Sequence, residues 1–252
     1  MGVTTDQDEQ TEVPGSDSPS MPRRRGRGRI ATAVSVFGEL LITAGLVLGL
    51  FVVYSLWWTN VLADRKADRQ GAQVRHHWAS ATPDSGPGAL DTGDGIGFLH
   101  VPAMGNGDVL VEKGTSTDVL NDGVAGYYTD PVKATLPMTG KTGNFALAAH
   151  RDGHGAKFHN IDKLQMGDPI VFETRDNWYV YKVFAILPQT SKYNVDVLTS
   201  VPKQAGVRKR GHYITLTTCT PVFTSEYRYI VWGELVRVDK VDSKRTPPKE
   251  LT

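Results

Sequence analysis

HYITLTTCTPVFTSEYRYIVWGELVRV, residues 212–238, decides the fold class of this chain. It holds two runs of strand length and strand composition, HYITLTTC (212–219) and YRYIVWGELVRV (227–238), divided at Pro221. The second shows partial apolar/polar alternation, as expected of a strand with one face on a core. Working outward, GFLHVP (97–102), DVLVEKG (108–114), NFALAAH (144–150), PIVFET (169–174) and WYVYKVFAIL (178–187) read the same way. Helical signals are few, chiefly STDVLNDG (116–123) and HNIDKL (159–164). Seven or eight strands over ~145 residues predict an all-β domain, a closed or nearly closed seven- to eight-stranded barrel with short helices. Spacing alone leaves a sandwich open.

The rest of the chain is organised around a membrane. Its 252 residues carry 28 Lys+Arg against 27 Asp+Glu, a balance that gives no sign of a nucleic-acid partner. Yet five arginines fall between Arg23 and Arg29, directly before IATAVSVFGELLITAGLVLGLFVVYSLWWTNVLA. The 19 residues from Leu40 to Trp58 are uncharged, close to the ~20 that a helix needs to cross a bilayer. Tyr54, Trp57 and Trp58 stand at the far end, where amphipathic rings favour the lipid–water boundary, and the arginines mark the cytoplasmic side. The apolar run ends in bulky aromatics rather than small residues, which favours an anchor over a cleaved signal peptide. The expected organisation is a disordered cytoplasmic tail (1–29), one N-terminal transmembrane helix (30–63), an extracellular linker that begins as a helical extension (64–92), the β-rich domain (93–240) and a C-terminal tail (241–252). The chain is thus expected to be a single-pass protein of the cell membrane, with its domain outside.

Cys219 is the only cysteine, so the domain is held by its core without disulfides. It ends an apolar run just before a Pro-marked turn, which places the thiol at a sheet edge. A nucleophilic thiol needs a base or a cation beside it. Of seven histidines, His76 and His77 fall in the linker, while His100 and His212 lie within strand-like runs and read as structural. His150 ends the apolar run NFALAAH, a polar group where a buried strand leaves the sheet. His154 and His159 follow in the next loop, but the trio lacks zinc-site spacing. Arg228 opens the strand nine residues beyond Cys219. If those two strands are neighbours, the loop returns it towards the thiol, where a guanidinium suits a developing oxyanion.

TLTTC (Thr215 to Cys219), LAAHRDG (Leu147 to Gly153) and YRYIVWG (Tyr227 to Gly233), in that family's order and spacing, resemble the sortase family over about residues 96–238. TLTTCTP, the nine-residue step to Arg228 and AHRDGHGAKFHNIDKLQMGDPIVFET look most like the actinobacterial class E group. Ala149 stands where the family usually has Gly. The resemblance implies a cysteine transpeptidase, with no cofactor and no metal. Its partners would be secreted proteins bearing a C-terminal LAxTG or LPxTG sorting signal and a peptidoglycan precursor amine. It implies Cys219 as nucleophile, His150 as acid and Arg228 as oxyanion stabiliser, with the backbone or hydroxyl of Thr218 in support. Substrate contacts would come from Thr217 and from Tyr128, whose GYYTD matches the group's GHY and implies acceptance of Ala at the signal's second position. An idle scaffold for wall assembly, or a hydrolase using water as acceptor, are the competing readings.

An unperturbed thiol is about 3% thiolate at pH 7 and an unperturbed imidazole about a quarter charged, so under ~1% of molecules would carry both active forms. LPMTG at Leu136 to Gly140 itself has the form of a sorting signal. It lacks the apolar tail and basic residues of a true signal and reads as coincidence. Asp108, Glu112, Asp118 and Asp122 are too scattered to indicate calcium.

Overall fold

The computed structural model of the chain describes Gly2 and residues 28–80 and 95–252. Most of the expected tail, with its Arg cluster, and the later part of the linker lie outside these residues. Helix α1 (Arg29–Ser80) carries the apolar run and is long and apolar enough to cross a membrane. The chain forms two compact units, 1–50 and 51–252.

Eight strands close into a barrel: β1 (Gly95–His100), β2 (Asp108–Lys113), β3 (Ala125–Tyr127), β4 (Gly143–Ala148), β5 (Pro169–Glu173), β6 (Asn177–Ser191), β7 (His212–Thr220) and β8 (Tyr227–Lys240), in the order β1-β2-β3-β4-β7-β8-β6-β5. Seven coincide with the runs read from the sequence. The eighth, β3, has only three residues and no periodicity to betray it. STDVLNDG supplies the one-turn helix α2 (Thr117–Leu120), and HNIDKL a 3-10 turn.

Two of the pairings are parallel, β2 with β3 and β4 with β7. Strand β4 is buried at every position. Phe145 and Leu147 enter the barrel core beside Phe172, Ile214 and Leu216, while Ala146 meets an outer cluster of Val197, Leu198, Ile230 and Trp232. Cover on both faces is why NFALA reads as a continuous apolar run rather than an alternating one.

Beyond the apolar run, α1 continues to Ser80 and packs on the barrel: Ala67, Val74 and Trp78 are buried with Phe98, Leu110 and Val124. The C-terminal tail docks as well, placing Val241 and Leu251 on Val171, Trp178 and Val180. Both are tied to Glu173, which is 1% exposed. It accepts hydrogen bonds from Arg75 of α1 at 3.0 Å, from His100 at 2.9 Å and from Arg245 of the tail at 2.6 Å. Burial pushes the Glu173 carboxyl up, but these three donors outweigh it and hold it below the usual range. Burial likewise opposes charge on His100, yet Asp108 and Glu173 on its two nitrogens raise it. A buried anion with three cationic partners escapes the cost of an unpaired charge.

Candidate active site

The two kinds of strand pairing bring Cys219, Arg228 and the exit of His150 to one edge. Parallel strands end at the same edge, and the β4–β7 ladder runs to Ala148 opposite Thr217. Beyond it the Ala149 N–H donates to Thr217 O at 3.3 Å, and the Thr218 hydroxyl donates to Ala149 O at 2.7 Å. Two residues past the last pair, His150 therefore leaves the sheet beside Cys219. On the other side β8 is antiparallel to β7, and Arg228 is the direct register partner of Cys219. Directly opposed residues in such a pair hold their Cβ atoms ~4.5–5.5 Å apart on one face. Cys219 is half-buried and unpaired.

Each group is held in a defined way. His150 Nε2 lies 2.9 Å from Asn121 Oδ1, just past α2. An amide oxygen only accepts, so Nε2 carries the proton of this hydrogen bond. Burial, and then the charge of His154 with its ring 5.4 Å away, push the imidazole below its ordinary pKa; Asp152 offsets part of this. Arg228 Nη1 donates to Ser225 O at 3.1 Å and Tyr227 O at 3.0 Å, which fixes the guanidinium at the start of β8.

Tyr128 sits close enough to feel the charges of both Arg228 and Cys219. Its hydroxyl lies 3.0 Å from Thr217 Oγ1, which itself donates to Leu147 O at 3.1 Å, so Tyr128 is the donor. Burial raises the phenol and keeps it neutral. Tyr128, Thr217 and Arg228 line a cavity of about 290 Å³ with Pro131, Tyr193 and Val195. Thr217 is 2% exposed, so it reaches the cavity chiefly through Tyr128.

Thr218 is 3% exposed, and its hydroxyl donates to Ala149 O. His159 Nδ1 bonds Arg151 O at 2.8 Å and does not converge with His150. Among the described residues no group of three or more His, Cys, Asp or Glu is arranged to hold a metal. LPMTG is folded as a 3-10 turn, in which the Thr139 hydroxyl bonds Leu136 O at 2.7 Å and Leu136 and Met138 pack on the core.

Two residues of the site had not been singled out. Asn121 stands in STDVLNDG, where Asn-Asp-Gly reads as a turn. Arg151, 5% exposed, donates to Thr220 Oγ1 at 2.9 Å and lies 3.3 Å from Asp162. It braces the end of β7 against the exit of β4. Its place directly after His150 was the available signal, since a buried arginine looks like any other in sequence.

A half-buried thiol on a barrel strand is thus faced by an arginine on the next strand and by a histidine at the edge shared with a parallel neighbour. A sortase-domain family model matches residues 99–236, and the chain belongs to the sortase family. Its relatives place it with the class E sortases of Streptomyces. It is 69% identical to sortase SrtE2 of Streptomyces coelicolor over the whole of both chains. Identity to sortase SrtE1 of the same organism is 44% over 89% of this chain and 63% of that one. Among solved structures, sortase E1 from Streptomyces coelicolor with a tripeptide in its active site matches with a TM-score of 0.59 and 47% identity, over 64% of this chain and 98% of that one. Sortase E from Streptomyces avermitilis matches with a TM-score of 0.55 and 32% identity, over the same shares.

Proposed function

We propose that this sortase is anchored in the cell membrane by α1, with its N-terminus in the cytoplasm. Outside the cell it cuts a C-terminal sorting signal of LAxTG or LPxTG form between Thr and Gly. The Cys219 thiolate attacks the threonine carbonyl carbon, and Arg228, with a backbone N–H near Thr218, stabilises the oxyanion. As the C–N bond breaks, the imidazolium of His150 gives its proton to the departing glycine nitrogen. An amine of a peptidoglycan precursor then attacks the thioester, neutral His150 takes its proton, and Cys219 leaves as thiolate. Tyr128 at the cavity beside Cys219 sets the preference at the signal's second position.

The observation that supports this reading most is the meeting of Cys219, Arg228 and the exit of His150 at one edge of the barrel. The test uses the full chain in detergent micelles with quenched LAxTG and LPxTG peptides, with and without a diaminopimelate-containing stem peptide. Cleavage at Thr–Gly that is lost in Cys219→Ala, with ligated product only when the amine is present, is the expected result. Cleavage with no ligation would make the chain a hydrolase. No cleavage while the thiol still reacts with a methanethiosulfonate would make it a scaffold.

A further inference from the structure

The first turns of α1 beyond its apolar run lie against both segments that hold His150. Asn60 Oδ1 accepts the Gly155 N–H at 2.8 Å, and Asp64 Oδ1 accepts from Lys157 Nζ at 2.8 Å, which ties α1 to the loop after His150. Lys66 Nζ lies 2.6 Å from Asp122, which ties α1 to the segment before β3. Asn121, next to Asp122, carries the hydrogen bond to the imidazole.

The packing between these ties is at backbone distance. Gly123 and Gly155 both have positive φ, +75° and +79°. A Cβ on Gly123 would lie 3.0 Å from the Ala63 carbonyl, and one on Gly155 would lie 2.8 Å from Asp64 Oδ1 and 3.4 Å from Gly123 Cα. Ala63 and Ala67 are 5% and 6% exposed. Residues 60, 63, 64 and 67 fall on one face of a helix, and here that face is small or polar so that two loops can touch it. Without it, His150 would depend on a helix of four residues and a loop rich in glycine.

We propose that residues 60–66 of α1 are a positioning element for His150, so that the helix leaving the apolar run is part of the active-site framework and not only a tether. This rests on the catalytic reading of His150. The physical reason is that proton transfer needs the donor within hydrogen-bond reach of the departing nitrogen, and a displacement of ~1 Å from a distant change can cost up to ~100-fold in rate.

The experiment uses the full chain in detergent micelles and compares Lys66→Met, Asn60→Ala, their double variant, and the exchanged pair Lys66→Asp with Asp122→Lys. Each single variant is expected to lower kcat about 3- to 10-fold and the double about 10- to 30-fold, with KM within about two-fold, since each tie is modest alone. The exchanged pair should recover to within about two-fold of wild type, and the rate of Cys219 alkylation should stay unchanged throughout. Lys66 is half-exposed, so Lys66→Met is the variant least able to unfold the domain. In it, the ¹⁵N resonances of the His150 ring should shift. A double variant with wild-type kcat, an exchanged pair that recovers nothing, or unmoved His150 resonances would each overturn the proposal. His150→Gln separates the two readings. If it abolishes turnover while the α1 variants change nothing, the positioning role fails alone; if it retains turnover, the catalytic reading falls and this one with it.

Discussion

Arg228→Met removes the guanidinium opposite Cys219 and keeps a side chain of similar length. An arginine has five N–H donors. Two, both on Nη1, are used on Ser225 O and Tyr227 O, so three remain for the oxyanion of the tetrahedral intermediate. Losing one pre-aligned donor from such a hole typically lowers kcat 10²- to 10³-fold, about 2.7–4 kcal/mol, so Arg228→Met should fall at least ~100-fold. Arg228→Lys keeps the charge but offers three donors from one atom. It cannot hold both loop carbonyls and still present a fixed pair to substrate, so it should recover only about ten-fold of the loss. The oxyanion exists only on the reaction path, so the loss belongs in kcat with KM nearly unchanged. The assay is steady-state cleavage of a quenched peptide by the full chain in detergent, with iodoacetamide alkylation of Cys219 as the check on an intact thiol. An Arg228→Met variant that keeps more than about a tenth of wild-type kcat, or whose defect lies in KM alone, refutes the oxyanion role and leaves Arg228 as a wall of the cavity.

Four further outcomes are expected. Because burial and then His154 depress the His150 imidazole, His154→Asn, which suits the left-handed backbone at φ +46°, should raise that pKa, enlarge the thiolate–imidazolium population and increase kcat/KM near pH 7; a pH–rate profile whose acid limb does not move to higher pH counts against it. Glu173→Gln leaves Arg75, His100 and Arg245 facing a neutral group. As two of these are 31–38% exposed, the cost should be about 2–3 kcal/mol, or ~4–12 °C in Tm by circular dichroism. The depressed Glu173 carboxyl gives stability that is present above its ordinary range and lost as pH falls through the lower folded value, whereas the raised His100 gives stability that is lost as pH rises through its folded value. Wild-type Tm should therefore drop as pH rises above the ordinary histidine range and through the raised His100 value, and His100→Gln should flatten that drop. Finally, LPMTG is packed as a turn, so the intact mass of the chain after prolonged incubation should show no cut after Thr139.

Much of this was legible in the order of the residues. Seven of the eight strands announced themselves by β-branched and aromatic runs bounded by turn residues, and the apolar run of α1 by length alone. Cys219 and His150 stood out because each is a polar group ending an apolar run, which local sequence can display. Strand β3 was hidden because three residues have no period. Glu173 ends an apolar strand, and its three partners lie 72 to 98 positions away from it. The docking of α1 was hidden for a related reason: ADRKADRQ reads as a solvated helix, and only the barrel shows that Ala67 and Val74 of its inner face have something to bury against.

What the sequence by itself determined is the set of candidate reactive groups and the strands that bear them, because strand propensity and the chemistry of Cys, His and Arg are local. What the tertiary structure alone decided is their meeting. The parallel pairing of β4 with β7 and the antiparallel return of β8 join segments separated by some 70 and by nine positions, so that two strand ends and one strand start share an edge. Nothing in the run NFALAAH specifies which strand lies beside it. That choice belongs to the closure of the barrel, where each strand's apolar faces find cover only in one order.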